Sequence, residues 1–292
     1  MEDNSKLKAL ISLVEDPDEE VFSHVRERIL EFGTEVISLL ENSWMERDLG
    51  DQFRDRIADI IRDIQLEDVK RRLVVWYDSP HKDLLEGSLI IAKYQYPNLE
   101  EDKVRTEIER IRRDCWLELN DYMTAFERVR ILNKIIFGVH GFTGNKENYT
   151  SPLNSYINTV IETKKGNPLS LCIVYSIVAS QLNLPIFGVN LPNHFILAYI
   201  DQNGTNNFLS NANEYGVLFY INAFSKGTIF QKEDITQFLT GINQKPQTWH
   251  YEPCSNSDII RRMLTNLIAS YQQSGDAQKV EDLSVLRSFL DD

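Results

Sequence analysis

Residues 166–200 carry no Asp, Glu, Lys or Arg, although 26% of all residues in the chain are charged. A window so free of charge is expected in the interior, with the rest of the chain wrapped around it. Asn167 followed by Pro168 predicts a helix start, because Asn caps well and Pro fixes a helical φ where its missing N–H costs nothing. Residues 169–182 then place apolar side chains on nearly every face, the pattern of a helix buried all round. Asn183 and Pro185 end it. Residues 186–190 and 194–200, rich in β-branched and aromatic types, predict two adjacent strands joined through Leu191-Pro192-Asn193. A membrane span is set aside. Pro168, Pro185, Gly188 and Pro192 cut the window, and the helical piece falls short of the ~20 apolar residues a bilayer needs.

Ahead of this window the apolar spacing is helical. Leu7, Leu10, Ile11 and Val14 form one stripe, broken at Asp16-Pro17-Asp18. Val21, Phe22, Val25, Ile29 and Leu30 form a second, closed by Phe32-Gly33. Thr34 can cap a third helix through Ile37, Leu39 and Leu40, and Phe53, Ile57, Ile60, Ile61 and Ile64 supply a fourth. The phrase LISLVEDPDEEVFSHVRERILEFG resembles a helical repeat of the HEAT type, whose apolar faces need neighbours. From residue 83 to 132 the helical period is expected to continue, interrupted at Pro97, with Cys115 and Trp116 as packing residues. Arg110, Arg112 and Arg113 alternate with Glu107, Glu109 and Asp114, which reads as a solvated helix face. Residues 138–150, GVHGFTGNKENYT, are rich in turn formers.

Behind the window, Asp201-Gln202-Asn203-Gly204 signals a hairpin and residues 217–224, VLFYINAF, another strand. The core is therefore one buried helix followed by three or more antiparallel strands. Residues 244–257 read as a connector, and residues 258–292 as two helices about Ser274-Gly275-Asp276 that resemble a tetratricopeptide-type hairpin. The expected fold class is α+β and mainly helical. Its expected division is a helical front lobe at 1–80, the core with its leading helices at 81–245, and the connector and hairpin at 246–292.

Composition narrows the function. At 292 residues with 42% hydrophobic content the chain can bury a large core. A net charge of −13 argues against a nucleic-acid surface, which needs Lys and Arg to neutralise phosphates. The three cysteines, Cys115, Cys172 and Cys254, are far apart and odd in number, so a disulfide framework is not expected. The first twenty residues lack a basic segment followed by an apolar run, so no secretory signal is expected and the chain reads as cytoplasmic. No metal-ligand spacing, phosphate-cradling Gly loop or dinucleotide fingerprint is present, so neither a metal nor a cofactor is expected.

The order KKGNPLSL, a buried helix, LNLPIFGVNLP and then NHF resembles the transglutaminase-like superfamily. More narrowly it resembles the bacterial SirB-type branch, whose members carry a phrase like FTGNKENYTSPLNSYINTVIETKKG ahead of the core helix; Asn145, Tyr149, Asn154 and Ser155 match it. The resemblance implies a papain-like site: a Cys at the core helix N-terminus, a His on the next strand, and an Asp or Asn on the strand after. It assigns His194 to the His position and Asn222 to the third. The Cys position falls on or next to Pro168, which has no nucleophilic atom. Cys172 lies four residues on, ~6 Å further along the helix, and its apolar neighbours would raise a thiol pKa. Ser170 points to a different face. The resemblance thus implies a degenerate core that binds a protein or peptide partner through a groove at Asn167, Pro168, Ser170 and Asn193. The alternative is a cysteine-dependent amide hydrolase or transamidase using Cys172, His194 and Asn222.

Overall fold

Leu7 and Ile11 lie on one face of helix α1 (Glu2–Ser12), and Val14 on the short 3-10 turn after it. A computed structural model of the chain describes residues 2–46, 51–201 and 216–291. Asp18 accepts the backbone N–H of Glu20 and so caps α2 (Glu19–Leu30), which stops two residues short of the Phe32-Gly33 close that the pattern predicts. Helices α3 (Ile37–Glu46) and α4 (Asp51–Asp78) follow. Ile11, Val14, Ile29, Leu40, Ile57 and Ile60 share one buried core. By its contacts the chain divides into two compact units, Met1–Val75 and Trp76–Asp292.

The second unit begins where Trp76 donates its indole N–H to the Asp83 carbonyl at 2.6 Å. The Asp83 side chain caps α5 (Leu84–Gln95). Helix α6 (Glu101–Trp116) buries Val104, Ile108, Ile111 and Cys115 and turns its charged side outward, where Arg112 pairs with Glu109. The helical period does not run on to residue 132. The Asn120 side chain accepts the N–H of Tyr122 at 3.0 Å, a local turn that competes with helix. A capping box of Thr124 and Glu127 then opens α7 (Ala125–Asn133). Trp116, expected to pack, is 60% exposed because it sits on the last turn before this break. A π-helical turn, Lys134–Val139, leads to β1 (Thr143–Gly144), which pairs in parallel with β2 (Lys165–Gly166) across α8 (Ile157–Thr163).

Helix α9 (Pro168–Gln181) is the expected buried helix: every residue from Pro168 to Ala179 is buried. After it come β3 (Ile186–Leu191), β4 (His194–Ile200), β5 (Val217–Asn222) and β6 (Thr228–Phe230), an antiparallel sheet in that order. Between β3 and β4 only Pro192 and Asn193 are unpaired. Asn193 has φ +58°, so Pro followed by a left-handed residue makes the tight turn. The expected hairpin at Asp201-Gln202-Asn203-Gly204 lies outside the described residues beyond Asp201. Strand β6 and α10 (Lys232–Gly241) had no forecast. Helices α11 (Asn256–Ser274) and α12 (Ala277–Ser288) meet at Gly275, whose φ of +79° closes α11. Among the described residues no helix is long and apolar enough to cross a membrane.

A candidate binding cavity at the start of the buried helix

Asn167 sets the geometry of this region. Its Oδ1 accepts the N–H of Ser170 at 2.9 Å, the Ser170 hydroxyl accepts the N–H of Asn167 at 3.0 Å, and Asn167 Nδ2 donates to Ser155 Oγ at 2.9 Å. All three side chains are buried. Two orphan donors of the helix start are satisfied in this way. Gly166 precedes them because a Cβ there would stand 2.5 Å from the Ser170 hydroxyl. Ser170 is thereby committed to the cap. Its partner loop is held by Asn154, whose Nδ2 donates to the carbonyls of Asn148 (2.6 Å) and Tyr149 (3.2 Å) and whose Oδ1 accepts from Asn145 at 2.9 Å. That fold of the loop carries Tyr149 to the mouth of a cavity.

The cavity holds about 360 Å³. Asn167, Pro168 and Leu169 line it from the start of α9, Asn193, His194 and Phe195 from the β3–β4 turn, and Tyr149 and Thr150 from the loop. One face of α11 supplies Arg262, Asn266, Ala269, Ser270 and Gln273. Of the residues singled out in the sequence, Asn167, Pro168, Asn193 and His194 are brought together here, whereas Ser170 and Cys172 do not line the cavity.

His194 is the first residue of β4. Its ring lies 6.0 Å from that of Phe238 on α10, and the side chain of Asn222, the last residue of β5, is its hydrogen-bond partner. Burial lowers the imidazole pKa below its usual value, the Asn222 contact opposes this, and the charge of Arg262 adds to the lowering. The ring is accordingly neutral at pH 7. Cys172 belongs to a different environment. Fully buried, its thiol donates to the Phe195 carbonyl at 3.5 Å. Burial pushes its pKa well above the ordinary thiol value, with a backbone contact from Ala223 opposing. Cys115 and Cys254 are likewise pushed up to about 12 by burial.

Sequence reasoning missed Arg262. Its Nη1 donates to Asn190 Oδ1 at 2.8 Å and its Nε to Asn266 Oδ1 at 3.3 Å. The signal was spacing: positions 262, 266, 269, 270 and 273 fall on one side of α11, opposite Ile260, Met263, Leu264 and Leu267. Among the described residues no group of three or more His, Cys, Asp and Glu is arranged to hold a metal ion.

A buried helix start beside a small antiparallel sheet, with a histidine leading one strand and an amide closing the next, defines a mainly helical α+β protein whose candidate site gathers at a helix N-terminus. The profile of the transglutaminase-like superfamily matches residues 102–265, more than half of the chain, and the chain belongs to that superfamily. It is 32% identical over 114 residues to the UPF0162 protein of Xylella fastidiosa, covering 39% of this chain and 41% of that one. It is 26% identical over 190 residues to the UPF0162 protein of Vibrio cholerae, covering 63% of this chain and 65% of that one. It is also similar to F-box only protein 21 of Mus musculus, with 29% identity over 160 residues, 55% of this chain and 24% of the mouse protein. The chain thus spans under two thirds of the length of these curated relatives. No solved structure matches it.

Proposed function

We propose that this chain is a binding member of the transglutaminase-like superfamily, close to the bacterial SirB-type branch, that holds a protein or peptide segment beside His194 without amide chemistry. The observation that carries this reading is Pro168. It lines the cavity together with His194 at the helix start, where a nucleophile would have to stand, and its side chain has no nucleophilic atom. The nearest thiol on the same helix, Cys172, is fully buried and held as a neutral S–H, which is not the electropositive, partly open setting of a reactive cysteine. In the same proposal the helices of residues 1–80 and the α11–α12 hairpin serve as HEAT-like and tetratricopeptide-like flanks in a cytoplasmic protein.

The contact between His194 and Asn222 favours the second reading, an amide hydrolase or transamidase, because an oriented imidazole is one part of such a site. Iodoacetamide separates the two. Under the binding reading, Cys172 in the folded protein is expected to react at pH 7 at least ~100-fold more slowly than free cysteine, since almost none of it is thiolate, and His194→Ala leaves that rate unchanged. Labelling of Cys172 within minutes, abolished by His194→Ala, would instead make the chain a working cysteine enzyme. Mass spectrometry of the labelled peptides reads either result.

A further inference from the structure

Arg262 stands in the cavity wall, and no described residue supplies it with a counter-charge. Its two amide partners, Asn190 and Asn266, orient the guanidinium but do not neutralise it, and Nη2 has no protein partner among the described residues. The adjacent Arg261 is treated differently: it pairs with Asp258 at 2.6 Å and Asp291 at 3.3 Å. Among the described residues, the titratable groups that face the cavity are Tyr149 from the loop, His194 from β4 and Arg262 from α11; the start of α9 contributes none, and no carboxylate of the described residues lines the cavity. A half-buried cation is costly unless something pairs with it. In a chain of net charge −13, an acidic side chain could readily have been placed there. The remaining lining groups are amides and hydroxyls from Asn193, Asn266, Ser270 and Gln273, suited to hydrogen-bonding a peptide. A volume of about 360 Å³ suits one or two residues.

We infer that the cavity takes the carboxylate of a peptide, with the Arg262 guanidinium as its fixed counter-charge. This rests on the binding reading above and names the chemistry of what is bound. Guanidinium and carboxylate match as two parallel N–H···O bonds, which a free Nη2 beside an oriented Nη1 permits. The carboxylate can come from a chain terminus or from an Asp or Glu side chain.

The test uses the full chain, isotope-labelled, with NMR of the Arg262 Nε–H and His194 imidazole signals. The probes are acetyl-Ala-Gly with a free terminal carboxylate, acetyl-Ala-Glu-amide, the neutral acetyl-Ala-Gln-amide, and inorganic phosphate. At least one carboxylate peptide is expected to shift both signals saturably, with the neutral peptide and phosphate weaker by roughly tenfold or more. Which of the two carboxylate peptides binds tighter identifies the source. Arg262→Gln is expected to lose that preference, and Arg262→Lys to recover part of it. Because Arg262 lowers the His194 pKa, a bound anion should raise it, so the carboxylate peptide binds more tightly as the pH falls through the imidazole pKa. Unliganded Arg262→Gln should also show a raised His194 pKa while keeping a cooperative urea unfolding transition, and the two together distinguish a lost charge from an unfolded variant. Equal binding of the neutral peptide overturns the carboxylate assignment and leaves the peptide-binding reading standing. Phosphate binding as tightly as the carboxylate peptides also overturns it, and no peptide response at either signal overturns both readings.

Discussion

Replacing Gly227 with Ala is expected to lower the unfolding free energy by roughly 3 kcal/mol, read by urea denaturation. Gly227 has φ +76°, a conformation that costs an L-residue ~1 kcal/mol. A Cβ there would also run into the side chain of Asn133. That side chain cannot step aside freely: its Nδ2 donates to the Gly227 carbonyl at 2.8 Å and its Oδ1 accepts the hydroxyl of buried Tyr175 at 3.1 Å. Displacing it sacrifices two part-buried hydrogen bonds at ~1 kcal/mol each. The neighbouring Lys226 is left-handed as well, at φ +56°, but is exposed. Lys226→Gly should therefore stay within about 1 kcal/mol of the parent. The turn also matters to the cavity, since Gly227 donates its N–H to the Asn222 carbonyl at 2.9 Å. The His194 imidazole signals of Gly227→Ala should move with the loss of stability, and a normal unfolding midpoint would contradict the account.

Arg56→Met is expected to cost a similar amount, roughly 3 kcal/mol, in the first unit. Arg56 is 7% exposed. Its Nη1 donates to the carbonyls of Val14 (2.9 Å) and Asp16 (2.7 Å), its Nη2 to Glu19 (2.6 Å), and the guanidinium lies 4.0 Å over the Phe22 ring. Methionine fills much of the volume but donates nothing, so carbonyls that end the turn before α2 lose their partner where water cannot fully replace it. The ion pair is the smaller part. The Glu19 side chain is 76% exposed, and a pair so open to solvent contributes ~0.5 kcal/mol. Glu19→Gln should thus change stability little while Arg56→Met changes it greatly. Faster amide exchange in α1 and α2 of Arg56→Met is the local readout, and equal effects of the two substitutions would assign the stability to the ion pair.

The start of α9 was legible because its determinants are local. Asn167 and Pro168 are neighbours, and the absence of charge from 166 to 200 announces burial before any partner is known. The same holds for β3, β4 and the Pro192-Asn193 turn between them. The break at residues 117–124 was hidden because apolar spacing continues across Asn120-Asp121, and only the Asn120 side-chain turn interrupts it. Strand β6 has three residues, too few to show alternation. Half of the cavity was invisible for a different reason. Arg262 lies 68 positions after His194, and helical periodicity reports which side of α11 is polar without reporting what that side faces. Tyr149 was matched as part of a phrase, but its place at the cavity mouth depends on the bonds of Asn154 to the loop backbone.

The wall formed by α11 fixes an order of events during synthesis. Everything that caps α9 and everything that presents His194 to Asn222 lies before residue 231, whereas the far wall, on α11, is made only later. Until residues 256–274 dock, the imidazole fronts an open hollow with no cation beside it. A nascent or prematurely terminated chain of that length would carry the sheet and its histidine but not the α11 wall, so the cavity is complete only once translation has passed Gln273.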